Sequence, residues 1–274
     1  MSLLTWILIF SLVGGALSVL AAAGFLLFPE QFRTRLLPHL VSFAVGALLG
    51  AAFLDLLPEA LEAGVGGPSA HAITTTVLIG ILGFFLLEKI VLWRHSHSGA
   101  LDGAGMAAHH AAPAGGAAHN HSRMRSAGIL ILIGDGIHNF VDGILIAAAF
   151  LTDVRLGVVT SLAIAAHEIP QELGDFAILL HSGMGRVRAL VYNMLSTLTT
   201  VIGALLAYYS LSGLQNLVPF VLAVAASSFI YIAVADLLPD LHHRARAGKE
   251  TFQQIVLIGL GILLIYGAQV ILHH

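Results

Sequence analysis

The sequence predicts an all-α integral membrane protein of eight transmembrane helices, with an inverted repeat relating spans 1–3 to spans 6–8 around central spans 4 and 5. Three observations predict it. Of 274 residues, 58% are hydrophobic and 10% charged, and the mean hydropathy of +0.92 lies far outside the soluble globular range. The apolar residues fall into runs of about twenty, the length a helix needs to cross ~30 Å of hydrocarbon. Finally, one six-residue string recurs in the second and seventh of these runs, while His and carboxylate clusters interrupt the fourth and fifth.

The first run, 3–28, has no Lys or Arg ahead of it and is longer than a signal-peptide core, so it reads as a retained span. The second, 40–61, carries Leu54-Asp55-Leu56-Leu57-Pro58-Glu59 near its end, and the third covers 73–93. Spans 4 and 5 cover 127–151 and 157–180. Three more follow at 189–211, 217–238 and 252–272, the seventh running into Ala235-Asp236-Leu237-Leu238-Pro239-Asp240. All belong to one domain, 1–274. Between spans 3 and 4 the connection 94–125 is rich in Gly, Ala and His, including His95, His97, His109, His110, His119 and His121. Such a tract cannot bury a core and reads as a flexible segment whose imidazoles capture or sense metal ions. The chain has no cysteine, which excludes disulfides and thiolate ligands.

Basic residues set the expected orientation. Arg33 and Arg35 lie in the first connection, Arg94, Arg123 and Arg125 in the third, Arg186 and Arg188 in the fifth, and Arg244, Arg246 and Lys249 in the seventh. Only Arg155 falls on the opposite side, so the odd-numbered connections are expected in the cytoplasm and both termini outside a plasma or bacterial inner membrane. In that orientation the second span ends outside and the seventh inside, so the shared string is read in opposite directions across the bilayer. Spans 4 and 5 repeat the relation, each placing a ligand-type residue four positions after a His. Inverted repeats of this kind put substrate near the midplane, where the halves meet.

Asp135, Asp142, Glu168, Glu172 and Asp175 all fall within spans 4 and 5. An ionised carboxylate at the bilayer centre costs about 2.5 to 3.5 kcal/mol, so five would cost on the order of 10 kcal/mol unless paired, hydrated or bound to a cation. Positions four apart share a helix face, which projects His138 with Asp142 and His167 with Gln171. Facing each other, the pairs make a four-ligand site suited to Zn²⁺, Fe²⁺ or Mn²⁺. Asn139 and Glu168, one position along, could build a neighbouring site sharing Asp142 or Gln171. The candidate metal set is therefore His138, Asn139, Asp142, His167, Glu168, Gln171 and Glu172. Pro170 is expected to kink span 5 and free the Ala166 carbonyl. Asp55, Glu59, Asp236 and Asp240 are candidates for the path in and out, and Glu88 and Lys89 for snorkelling to water.

The strings Gly134-Asp135-Gly136-Ile137-His138-Asn139-Phe140-Val141-Asp142-Gly143 and His167-Glu168-Ile169-Pro170-Gln171-Glu172-Leu173-Gly174-Asp175-Phe176 resemble the signature of the ZIP (Zrt/Irt-like) divalent metal transporters. The resemblance extends over the whole chain. It implies carriage of a divalent metal, Zn²⁺ first and Fe²⁺, Mn²⁺ or Cd²⁺ as alternatives, into the cytoplasm by alternating access. It also implies a mononuclear or binuclear site between spans 4 and 5. No catalytic step or cofactor is implied, and the partners expected are the metal and the bilayer, with a homodimer allowed and no nucleic acid. By the same resemblance His138, Asp142, His167 and Gln171 match the primary site and Asn139, Asp142, Glu168 and Gln171 the secondary one. This chain departs from its branch at Gln171, where a second His is usual. It also has only Ser196, Thr197, Thr199 and Thr200 in span 6, where some members carry an acid beside the secondary site.

Other functions use similar residues. An intramembrane metalloprotease would need a His-Glu-x-x-His helix, and here the second His is Gln171 with Pro170 inside the motif. An exporter of the cation-diffusion-facilitator type would need six spans and a cytoplasmic C-terminal domain. A metal sensor would bind without flux.

Overall fold

The computed structural model describes residues 2–62, 67–100, 116–181, 183–239, 241 and 249–272, and among them all regular structure is helical. The chain runs through α1 (Leu3–Phe25), α2 (Glu30–Gly50), α3 (Leu57–Leu61), α4 (Ala70–Ala100), α5 (Gly116–Thr152), α6 (Val154–His181), α7 (Arg186–Leu211), α8 (Val218–Tyr231) and α9 (Lys249–Leu272). Among the described residues seven helical stretches are long and apolar enough to cross a membrane, including Glu30–Leu61 and Ile131–Thr152. Helix α6 has the length, at 28 residues, but its candidate site residues lower its hydropathy.

The helices run past several expected edges. Helix α2 begins ten residues before the apolar stretch at Leu40 and continues through Pro38, with Ser42 Oγ donating to the Pro38 carbonyl at 2.7 Å. Backbone on both flanks of the His-rich connection is helical, at 94–100 and 116–125. His109 and His110 lie outside the described residues, as do the side chains of His95, His97, His119 and His121, and Asp240, Arg244 and Arg246. Helix α6 is unbroken at Pro170.

The repeated string has a local structure that the sequence pattern did not foretell. Both copies sit on six-residue π-helical turns, Ala51–Leu56 and Ile232–Leu237, with an Asp at the fifth position and a Pro two residues beyond the end. Proline lacks the N–H that an α-helix would offer to the carbonyl four residues back, and its ring crowds that carbonyl. A widened turn relieves the clash. After the first turn, Leu54 O accepts a hydrogen bond from Gln269 Nε2 of α9 at 3.2 Å. Asp55 is buried with Oδ2 lacking a partner, Glu59 is half-buried, and Asp236 is exposed.

Helices α1, α5, α6 and α7 pack on one another, while α2 packs on α9 and α4 on α8. The core joining these groups is rich in alanine (Ala47, Ala51, Ala52, Ala147, Ala148, Ala225, Ala226), with Leu48, Phe150 and Phe229 filling the gaps. Small residues let backbones approach closely without the hydrophobic drive that water supplies. Peripheral α4 and α9 expose Leu78, Ile79, Leu82, Ile255, Leu263 and Ile271. In water such faces would aggregate, but they suit hydrocarbon.

Candidate metal centre

Helices α5 and α6 form a hairpin joined through Asp153 alone, whose Oδ1 accepts from the Arg155 backbone N–H. So tight a return needs Gly157, where a Cβ would strike the Phe150 ring. The hairpin sets the two helices side by side over their polar segments. On α5, His138 and Asp142 project from one face, as their spacing of four requires, and on α6 His167 faces them.

Four side chains converge: His138, Asp142, His167 and Glu168 each offer a ligand atom, all within 4.8 Å of one another. The two imidazole Nε2 atoms lie 3.1 Å apart, with the rings nearly perpendicular at 86°. Asp142 Oδ2 stands 3.5 Å from both Nε2 atoms, and Glu168 Oε1 is 3.7 Å from that of His138. A tetrahedral Zn²⁺ with bonds of about 2.0 to 2.2 Å separates its ligand atoms by about 3.3 to 3.6 Å. These distances scatter around that range, so small side-chain movements would complete the coordination.

Burial sharpens the point. Asp142, His167 and Glu168 are all 2% exposed or less, while His138 is partly open. All four oxygens of Asp142 and Glu168 are buried without a hydrogen-bond donor. An unsatisfied buried polar atom costs about 1 to 3 kcal/mol and a charged one more, so four in one pocket favour a cationic partner. His167 Nδ1 lies 3.2 Å from the Ala163 carbonyl. As a donor there, it turns the Nε2 lone pair toward the cluster, the usual orientation of a metal-binding imidazole. The Phe229 ring of α8 stands beside His167, with centroids 6.2 Å apart.

The remaining candidates lie around this group. Gln171 follows His167 by four residues on the same face of α6 and is half-buried. Asn139 is turned toward α7: Thr200 Oγ1 donates to its Oδ1 at 2.9 Å, and its Nδ2 donates to Asp135 Oδ1 at 2.8 Å and to the Asp135 carbonyl at 3.1 Å. Glu172 is also drawn to α7, where Asn193 Nδ2 donates to its Oε2 at 2.8 Å. Ser196 Oγ donates to Asp135 Oδ2, and Thr199 Oγ1 to the Gly136 carbonyl at 2.6 Å.

This hydroxyl and amide seam along α7 exists because Gly143 and Gly203 let α5 and α7 touch. A Cβ at either would collide with the backbone carbonyl opposite, Thr200 O or Phe140 O. Asn193 and Ser196 are polar residues within an apolar span, and the sequence does not identify the partners that the structure gives them. The signal was present in the helical spacing of Asn193, Ser196, Thr197 and Thr200.

A multi-pass helical membrane protein with a buried cluster of two imidazoles and two carboxylates between adjacent helices is the class that this fold and site define. Comparison with known proteins narrows it. The model of the ZIP zinc transporter family matches residues 2–269, and the chain belongs to that family. It is similar to zinc transporter ZIP13 of Mus musculus, 34% identical over 249 residues that cover 83% of this chain and 68% of the relative. It is also similar to zinc transporter ZIP13 of Gallus gallus, 33% identical over 275 residues covering 85% and 74%. With zinc transporter ZIP10 of Homo sapiens it shares 36% identity over 185 residues, covering 64% of this chain and 21% of the relative. The chain spans about a fifth of the length of the ZIP10 relatives it matches.

Proposed function

We propose that this protein carries divalent transition metal ions through the membrane into the cytoplasm, with Zn²⁺ as the leading substrate and Fe²⁺, Mn²⁺ or Cd²⁺ as alternatives. The observation that carries this reading is the set of four donorless carboxylate oxygens beside two imidazoles, at tetrahedral spacing, in helices otherwise suited to lipid. The relatives described above are zinc transporters, which supports the substrate class.

In this reading α6 is the eighth span, polar because it carries half the site. Arginines in the odd-numbered connections put those connections in the cytoplasm and the termini outside. The inverted repeat is supported by a constant offset of 181 positions, which takes Asp55 to Asp236 and Pro58 to Pro239. The same offset takes Phe43, Gly46 and Gly80 to Val224, Ser227 and Gly261. A Cβ on Gly261 would meet Phe43 and Gly46, and one on Gly80 would meet Val224 and Ser227, so equivalent contacts recur in both halves. His138 and His167 occupy equivalent places in spans 4 and 5. Equivalent residues that touch lie on the axis relating the halves, so the cation sits where both halves act on it.

Alternating access then moves α5 and α6, with α1 and α7 packed on them, against the group of α2, α4, α8 and α9. The His-rich connection gathers metal at the cytoplasmic face. The test is uptake of Zn²⁺, Fe²⁺, Mn²⁺ and Cd²⁺ into proteoliposomes by the wild type and His138→Ala. Saturable wild-type uptake that the variant lacks supports the reading. Equal uptake by the two, or none by the wild type, refutes it.

A further inference from the structure

One helical turn from the four-ligand cluster, toward the end of the bundle that bears Arg186 and Arg188, lies a second group of buried oxygens. Asp135 precedes His138 by three residues on α5, and Glu172 follows Glu168 by four on antiparallel α6, so both step in the same direction. Asn193 meets them from α7. Glu172 and Asn193 are fully buried and Asp135 is 4% exposed.

Their hydrogen bonds are incomplete in a specific way. Asn193 Nδ2 donates to Glu172 Oε2, yet Glu172 Oε1 and Asn193 Oδ1 have no donor. Rotating the Asn193 amide would not help, because its oxygen would then face a carboxylate oxygen. Both oxygens of Asp135 are already engaged, by Asn139 and Ser196. None of the hydrogen bonds to Asp135 or Glu172 comes from a basic side chain. Two buried carboxylates and two orphan acceptors in a membrane interior make a setting that a positive charge would satisfy.

We propose that Glu172 Oε1 and Asn193 Oδ1 form a second cation station. The negative field of Asp135 reinforces it, and it receives the divalent metal as the metal leaves the His138–Asp142–His167–Glu168 cluster. The inference rests on the transport reading above. Its donors are all oxygen, so it holds a borderline metal such as Zn²⁺ less tightly than the imidazole cluster does. A weaker station one turn along lowers the barrier to release without competing for capture. Asn193 therefore acts as a ligand, and Ser196 as a positioning residue that keeps Asp135 turned toward α7.

The experiment is ¹¹³Cd NMR on the full chain in nanodiscs, paired with Cd²⁺ uptake into proteoliposomes. Nitrogen ligands shift the ¹¹³Cd resonance away from that of an oxygen-only site, so the station is separable from the cluster and from the histidine-rich connection. The wild type should show an oxygen-only resonance that is lost in Glu172→Gln and in Asn193→Leu and kept in Asn193→Asp, which preserves an oxygen ligand and reports on folding. Maximal uptake in Glu172→Gln should fall about ten-fold, with the apparent Michaelis constant within about two-fold of wild type. An absent oxygen-only resonance, or one that survives both Glu172→Gln and Asn193→Leu, overturns the station. His138→Ala should abolish the mixed nitrogen and oxygen resonance and leave the oxygen-only one. If the mixed resonance persists unchanged, the central cluster has been misassigned, a failure distinct from that of the station.

Discussion

Replacing Asp142 by Asn separates what the cluster does for the metal from what it costs the fold. The substitution keeps size and shape and removes one charge, from a side chain 1% exposed whose two oxygens lack donors. Asp142 Oδ2 is equidistant from both imidazoles at 3.5 Å, so in the proposed site it is the anionic ligand placed between them. Four-ligand zinc sites bind with about 10 to 16 kcal/mol, or roughly 3 kcal/mol per ligand. An Asn at position 142 keeps a neutral oxygen ligand, so about 2 to 3 kcal/mol should be lost, a weakening of some 30- to 150-fold. Metal-free stability should move the other way, or stay level. Burying a carboxylate at mid-membrane costs about 2.5 to 3.5 kcal/mol, and the amide relieves most of that. The assay is thermal unfolding in nanodiscs with and without Zn²⁺, alongside uptake. The metal-free midpoint should hold or rise, while the Zn²⁺-induced rise shrinks and uptake falls. An Asn variant that keeps the full Zn²⁺ shift refutes Asp142 as a ligand, and a marked drop in the metal-free midpoint refutes the claim that its charge is unpaid without a cation.

Three further outcomes are expected. Gln171→His should lower the apparent Michaelis constant for Zn²⁺ more than for Mn²⁺ with no gain in maximal rate, because imidazole favours the later metal and tighter holding slows release; an unchanged Zn²⁺ to Mn²⁺ preference would remove Gln171 from the site. Deleting 98–120 should leave transport intact and alter its regulation or apparent affinity, since its Gly-, Ala- and His-rich composition is that of a connection between spans; loss of flux in a correctly inserted deletion would contradict this. Gly143→Val should push α5 from α7, because its Cβ has no room beside Thr200 O, and cost about 1 to 3 kcal/mol of stability; an unaltered unfolding midpoint would show that the helices can separate freely.

Composition and periodicity made the membrane class legible, because hydrocarbon accepts only long apolar helices and such runs are visible residue by residue. The spacing of His138 with Asp142 was equally readable, since four residues on a helix share a face whatever surrounds them. The partner across the helix pair was not. Spacing alone set Gln171 opposite His138 and Asp142 and left Glu168 for a neighbouring position, and the rotation of α6 in the bundle brings a Glu168 oxygen within 4.8 Å of the ligand atoms of His138, Asp142 and His167, with Gln171 half-buried beside them. Rotation is set by packing, here by Gly157 beneath Phe150 and by α1 against α6. Asn139 shows the same limit. Its motif marks it as a ligand, but the approach of α5 to α7 at Gly143 and Gly203 hands its amide to Thr200 and Asp135. The π-helical turns had no sequence signal beyond Pro58 and Pro239, because the choice between a kink and a widened turn depends on which neighbour satisfies the freed carbonyl, and Gln269 is 215 positions from Leu54. Sequence alone determined that buried His and carboxylate groups concentrate within spans 4 and 5, because the cost of burying charge is local. Which of these groups face one another was decided only by the tertiary structure, because that depends on helix rotations fixed by contacts between distant segments.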